Sequence, residues 1–136
     1  MTHSPKQVIV SAGVLFRDHS VLLTQRKAGS HLAGTWELPG GKVEPNEDPR
    51  DTVVRELLEE LGVHIEVIDI FDVTFHRYPE KSVLLLFYEA SLTAQSPEPQ
   101  AIDVADLRWA NLADLDTLSF PPADEAVIAK IRRRLR

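Results

Sequence analysis

The stretch from Asp48 to Gly62 constrains this chain more than any other. Asp48 followed by Pro49 is a helix start, because an aspartate caps orphan N–H groups and proline is tolerated at the first helical position. Gly62 suits a left-handed cap at the far end. Stepping about 100° per residue around the axis, Val54, Leu57, Leu58 and Leu61 fall on one face, and Glu56, Glu59 and Glu60 on the opposite one. Such a helix anchors itself by leucines and presents carboxylates outward. Acidic helix faces are ordinarily just solvated, but this one carries an unrelieved cost. Glu56 and Glu60 are like charges at i and i+4, worth a few tenths of a kcal/mol of repulsion. No lysine stands at i+4 from any of the three, and the neighbouring cation is Arg55. A divalent cation would turn that repulsion into attraction.

The segments around the helix read mainly as strands. Residues 7–16 and 21–25 are β-rich apolar runs joined by the polar tetrad Arg17-Asp18-His19-Ser20, a hairpin pattern. Residues 27–34 read as a loop, residues 36–38 as a short strand, and Pro39-Gly40-Gly41-Lys42 as a tight turn. Residues 64–75 are β-rich. Residues 83–88 are nearly continuously apolar, as in a strand buried on both faces. Residues 93–101 form a loop and residues 107–112 a last short strand. The tail is a helix with Val127, Ile128, Ile131 and Leu135 in one stripe. With no repeat and no linker, residues 1–136 are read as one domain.

Glycines ahead of the helix let backbone approach a ligand closely, their carbonyls are oxygen donors, and Glu47 adds a carboxylate. Magnesium prefers such oxygens, keeps several waters, and commonly shares carboxylates with substrate phosphates. The residues therefore point to a metal site, and by themselves to no particular reaction. Composition narrows the alternatives. Without cysteine there is no disulfide, thiolate zinc site or cysteine nucleophile. A formal charge of −6 argues against a stable nucleic-acid partner or an anionic membrane surface. No apolar run is long enough to span a bilayer, so the expected location is cytoplasmic.

Gly41, Glu47, Arg55, Glu56, Leu57, Glu59, Glu60, Gly62 and Val63 match GX5EX7REUXEEXGU, where U is bulky and apolar. In this the chain resembles the Nudix family, and most of all its MutT-type nucleotide pyrophosphohydrolases. These share stretches like residues 31–39, a tryptophan like Trp109 and an ending like Phe120-Pro121-Pro122-Ala123-Asp124-Glu125. The resemblance implies an α+β fold, the Nudix α/β/α sandwich with a central mixed sheet. It implies a Mg2+-dependent hydrolase, with Mn2+ as substitute, that turns a nucleoside triphosphate such as 8-oxo-dGTP into monophosphate and pyrophosphate. Nucleotide-pool sanitisation in DNA repair would be the corresponding role. The implied metal ligands are the Gly40 carbonyl, Glu56, Glu59 and Glu60, with Arg55 orienting carboxylates by pairing with Glu47. The resemblance also marks Asp103 as a further metal or water contact, with Asp106 competing and the general base left open.

For the substrate, the resemblance marks Arg26 as a phosphate or nucleotide contact and Lys81 as a departure from an arginine beside the base. Asp124 stands where an asparagine reads oxidised guanine, and its competing role is a helix cap. An ionised aspartate only accepts hydrogen bonds, which suits the donors of a guanine edge or the amino group of cytosine. Leu38, Tyr78 and Phe87 are candidate pocket walls. Rival readings are a hydrolase of another NDP-X compound, a cytosine nucleotide or an RNA 5′ triphosphate, and a non-catalytic nucleotide-binding module. The expected partner is a small-molecule nucleotide, and the assembly a monomer or homodimer. The histidines lack metal-ligand spacing, and the basic tail reads as a solvated helix end.

Overall fold

The computed structural model describes residues 6–136. Strands β1 (Lys6–Arg17) and β2 (Ser20–Gln25) form the expected hairpin. The polar tetrad tightens to a two-residue turn in which Asp18 and His19 have φ of 48° and 63°. That left-handed pair matches the twist of the flanking strands. Next come β3 (Trp36–Glu37), β4 (Gly40–Lys42), helix α1 (Pro49–Leu61), β5 (Ile65–Arg77) and β6 (Lys81–Leu92). The chain ends with β7 (Asp106–Ala110), α2 (Leu112–Thr117), a 3-10 turn (Pro122–Asp124) and α3 (Glu125–Leu135).

The seven strands make one mixed sheet in the order β3-β2-β1-β6-β5, with β4 beside β1 and β7 beside β2. β1 runs parallel to β6 from Lys6 opposite Lys81 to Leu15 opposite Ala90, and antiparallel to its other partners. Alternation along β1 and β2 sends Ala12, Val14, Val21 and Leu23 to one face, where Val127, Ile128, Ile131 and Leu135 of α3 cover them. Leu15 and Leu22 go to the other face, against Val53, Leu57 and Leu61 of α1. Two apolar cores on either side of one sheet make the α/β/α sandwich.

Four local expectations are corrected. The α1 stripe is Val53, Leu57 and Leu61, with Thr52 also buried, whereas Val54 and Leu58 are exposed. The contact line is set by Gly13 of β1, where an added Cβ would stand 3.2 Å from Val53 and 3.3 Å from Leu57. Residues 40–42 form no tight turn but strand β4, with Ala12, Ser11 and Val10 opposite Gly40, Gly41 and Lys42. Their glycines serve close approach rather than unusual φ. A Cβ on Gly40 would overlap the β1 backbone, and one on Gly41 would overlap the Glu56 carboxyl. The β6 run is buried on both faces only in part: Val83 and Phe87 are buried, while Leu84 and Leu86 are half-covered, because α1 does not reach that end of the sheet. Leu112 starts α2 rather than ending a strand. Asn111 and Asp114 form a reciprocal capping box there, which starts the helix at Leu112.

Candidate active site

The caps of α1 match the sequence pattern. Asp48 accepts from the Arg50 N–H at 2.9 Å, and Gly62, at φ 69°, donates its N–H to the Leu58 carbonyl. Helix α1 then lies against β4, and the loop between them folds back so that Glu47 meets the helix face. Arg55 organises this corner. Its Nε and Nη2 donate to the two Glu47 oxygens at 2.9 and 3.0 Å, its Nη1 to Glu56 at 3.0 Å, and more loosely to Glu59 at 3.4 Å. Thr52 adds a 2.7 Å hydroxyl contact to Glu47. With the Arg55 fork and Thr52 both donating to it, the Glu47 carboxyl drops to about 2. The Arg55 guanidinium is held correspondingly high.

Glu60 lives in the opposite environment. Its carboxylate accepts from the Gly40 N–H at 3.1 Å. Burial, then repulsion from Glu56 and Glu37, pushes it up to about 8. Burial likewise raises Glu56, with Arg55 opposing. Gly13 donates to Pro39 and Val43 to Ile9 across the β1–β4 ladder. Gly40 therefore occupies a non-hydrogen-bonded position, and its N–H and carbonyl both point away from β1, toward the helix. Two crowded, partly desolvated carboxylates, together with an outward carbonyl on the adjoining strand, are hard-oxygen donors suited to a divalent cation. Among the described residues, no three acidic or histidine side chains yet converge as a cation-holding group. Arg55 draws Glu56 and Glu59 one way, while Glu60 bonds the Gly40 amide.

Asp103 arrives by backbone. The N–H groups of Ile102 and Asp103 both donate to the Glu60 carbonyl at 3.0 Å, closing the end of α1 and setting Asp103 beside the cluster. Its exposed side chain pairs with Lys27. Asp106 instead folds onto its own strand, accepting from the Leu107 N–H at 2.8 Å.

A cavity of about 280 Å³ opens beside Gly40, Gly41 and Lys42 and runs along the sheet face that α3 covers. Arg26, Leu38, Tyr78, Lys81, Phe87 and Asp124 all line it. Leu38 and Phe87 are at once wall and core. Arg26 is not free: its Nη1 donates to Glu37 at 2.8 Å and its Nε to the His31 carbonyl at 2.6 Å. Lys81 stands 5.9 Å from the Tyr78 ring. Asp124 is 7% exposed, and although it holds the capping position of α3 its side chain makes no cap hydrogen bond. Burial, with repulsion from Glu37, raises it to about 7. A carboxyl poised there both donates and accepts near neutrality, whereas the sequence-based expectation was of an acceptor alone.

Two pocket residues escaped the sequence. Glu37 sits between Trp36 and Leu38, where a lone acid in a short strand gives no pattern. It pairs with Arg26 and raises both Asp124 and Glu60. His31 packs edge-on against Tyr78 with centroids 5.7 Å apart; metal spacing was the wrong signal for an aromatic wall. Two of the four arginines of the basic tail pair internally, Arg132 with Asp116 and Arg134 with Glu89.

The NUDIX domain family model matches residues 6–133. An 8-oxo-dGTP diphosphatase of Escherichia coli is 33% identical over 129 residues, covering 94% of this chain and 98% of that protein. A CTP pyrophosphohydrolase of Escherichia coli is 52% identical over 62 residues, 46% of each chain. Among solved structures, the E. coli ORF135 protein superposes with a TM-score of 0.79 at 31% identity, covering 95% of this chain and 91% of that one.

Proposed function

The chain belongs to the Nudix family of hydrolases, and on that footing we propose that it is a Mg2+-dependent pyrophosphohydrolase of nucleoside triphosphates. The observation that carries the proposal is the adjacency of two unlike sites. A crowded carboxylate corner, Glu56 and Glu60 against Gly40–Gly41, adjoins a cavity whose wall holds a buried, uncapped Asp124. A nucleotide spans both, with its phosphates at the corner and its base in the cavity. Release of monophosphate and pyrophosphate follows from attack at the inner of the two phosphorus atoms beyond the α position. The named relatives act on 8-oxo-dGTP and CTP, and an oxidised guanine triphosphate is the substrate proposed here.

The cation would be held by Glu56, Glu59 and Glu60 with the Gly40 carbonyl, and Asp103 is proposed as a further contact. When bound it supplies charge neutralisation on the phosphate oxygens and acidifies the attacking water. The residues of this chain do the rest. Arg55, fixed on Glu47, orients the Glu56 and Glu59 carboxylates. Lys42 at the cavity mouth offers a local cation to a polyanion in an otherwise acidic protein. A carboxylate of the cluster takes the proton of the attacking water as its oxygen bonds to the β-phosphorus, while the bond from that phosphorus to the α–β bridging oxygen breaks and the nucleoside monophosphate leaves with that oxygen. Arg26, clamped by Glu37 and His31, positions the wall beneath the nucleotide, while Tyr78, Leu38 and Lys81 border the base.

A second base preference is favoured by one observation: Asp124 is an acid where an amide would read the same edge at every pH. In its ionised form it suits the amino group of cytosine. The test is a panel of guanine, 8-oxoguanine and cytosine triphosphates and NDP-X compounds with Mg2+, with products identified by chromatography. Monophosphate plus pyrophosphate supports the proposal; turnover of none of them refutes it.

A further inference from the structure

His76 takes no part in the proposed function, yet it stands at the outer wall of the cavity. Val8 lies opposite Val83, and Val83 opposite His76, so the three form one cross-strand row. Val8 and Val83 line the cavity, so His76 rises from the same sheet face just beyond them. Tyr78 comes two residues later, the first past the end of β5. Its N–H closes the turn onto the Lys81 carbonyl at 2.7 Å, but no ladder partner aims its side chain. Its neighbours do. His76 meets the Tyr78 ring with centroids 4.5 Å apart and planes at 65°. His31, whose own carbonyl is held by Arg26, meets it at 5.7 Å and 87°. Lys81 Nζ stands 5.9 Å from the same ring. Edge-to-face pairs have a preferred geometry and contribute beyond the area they bury, so contacts from two segments of the chain fix the direction of the phenol.

That direction serves the hydroxyl. Burial, then repulsion from Asp124, raises the Tyr78 phenol above its ordinary value, with Arg26 opposing. The hydroxyl therefore faces the Asp124 carboxyl in the cavity that both residues line, and it stays a protonated donor while Asp124 titrates. Among the described residues it has no hydrogen-bond partner, and Asp124 makes no cap hydrogen bond. A fixed donor beside a carboxyl that accepts when ionised matches neighbouring atoms of a base edge. Guanine offers O6 and N1–H, and cytosine offers N3 and its amino group.

We infer that the Tyr78 hydroxyl reads the base as a pair with Asp124, and that His76 is the positioning residue that aims it. The inference rests on the nucleotide reading above for its ligand, and on neither the acidic corner nor the bond cleaved.

The test separates binding from turnover. Calorimetric titration of the cation-free protein with 8-oxo-dGMP, dGMP and dCMP reads binding without chemistry. Tyr78→Phe keeps the ring and removes the hydroxyl, so Kd for the tightest of the three should rise about 3- to 10-fold. His76→Ala should raise it by about as much, and His76→Phe should restore it. In a Tyr78→Phe background His76→Ala should add almost nothing, because the group it aims is already gone. With Mg2+ and the matching triphosphate, the same variants should act on KM rather than on kcat. A Tyr78→Phe protein that binds as tightly as wild type would overturn the inference. So would losses at His76 and Tyr78 that simply add, or a His76→Phe protein no better than His76→Ala. A wild type that shows this coupling but hydrolyses no triphosphate would overturn the enzyme reading and uphold the base-reading pair.

Discussion

Glu60 and Asp124 are the two carboxyls held furthest above their ordinary range, to about 8 and about 7, both by burial first. Each consequently loses stability for the fold as pH rises. The unfolded chain releases these protons near pH 4 and the folded one only near neutrality or above, so between those limits the folded state binds more protons. Stability is full below the unfolded values and falls as pH climbs through the native ones. A carboxyl held one pH unit high costs the fold about 1.4 kcal/mol when ionised. Asp124→Asn should therefore raise the melting temperature at pH 8 and leave it nearly unchanged at pH 4, as differential scanning calorimetry would record. The same variant should flatten the pH dependence of the preference between guanine and cytosine triphosphates, because an amide keeps its donor at all pH. An unaltered ranking across pH 6–8 would remove Asp124 from base contact. Glu60→Gln should lower turnover on the order of 100-fold or more while raising the cation-free melting temperature at pH 8. Retained activity would refute its proposed place in the metal set.

At the scale of elements, the functional corner is the packing of α1 onto β4, and Gly41 is the narrowest point. A Cβ there overlaps the Glu56 carboxyl, so Gly41→Ala should displace that carboxylate and weaken Mn2+ binding, measured by electron paramagnetic resonance, while circular dichroism stays native. Arg55→Lys probes the same corner. Lysine cannot reproduce a two-pronged grip on Glu47 together with contacts to Glu56 and Glu59. We expect Mn2+ affinity to fall about 10- to 100-fold, whereas an unchanged affinity would reduce Arg55 to a surface pair. Much of this corner was legible from sequence, because helix caps, the carboxylate spacing and the α3 stripe are local patterns. What was not legible depended on neighbours. The spacing pointed to a stripe of Val54, Leu57, Leu58 and Leu61, and packing against the bare backbone of Gly13 turns it instead to Val53, Leu57 and Leu61. Pro39-Gly40-Gly41 has turn chemistry but serves a strand, because its glycines answer to β1 and Glu56 rather than to their own φ. Glu37 carries no periodic signature, and its importance comes from Arg26 and Asp124, which reach it from other parts of the chain.

At the scale of the whole molecule, the sandwich separates tasks by face. One face of the sheet carries the cavity under α3, the other carries α1, and the acidic corner sits where α1 meets β4. Binding at the corner should be felt globally. On the proposed function, Mg2+ would neutralise the corner carboxylates, Glu60 among them, so at pH 8 it should raise the melting temperature with a logarithmic dependence on concentration. The gain should shrink at pH 5, where Glu60 in the cation-free protein holds its proton and competes with the metal. A rise independent of pH would show that Glu60 takes no part.

The parallel ladder between β1 and β6 has a kinetic side. It joins residues about 75 positions apart along the chain, the costly kind of loop closure that slows folding. Val8, Val10 and Ala12 from one partner and Val83, Leu85 and Phe87 from the other line the same cavity. A partly folded chain can wind α1 early from local interactions, yet it has no nucleotide pocket until these two distant strands have found each other. Recovery of nucleotide binding during refolding should therefore trail the appearance of helix, with the ladder as its clock.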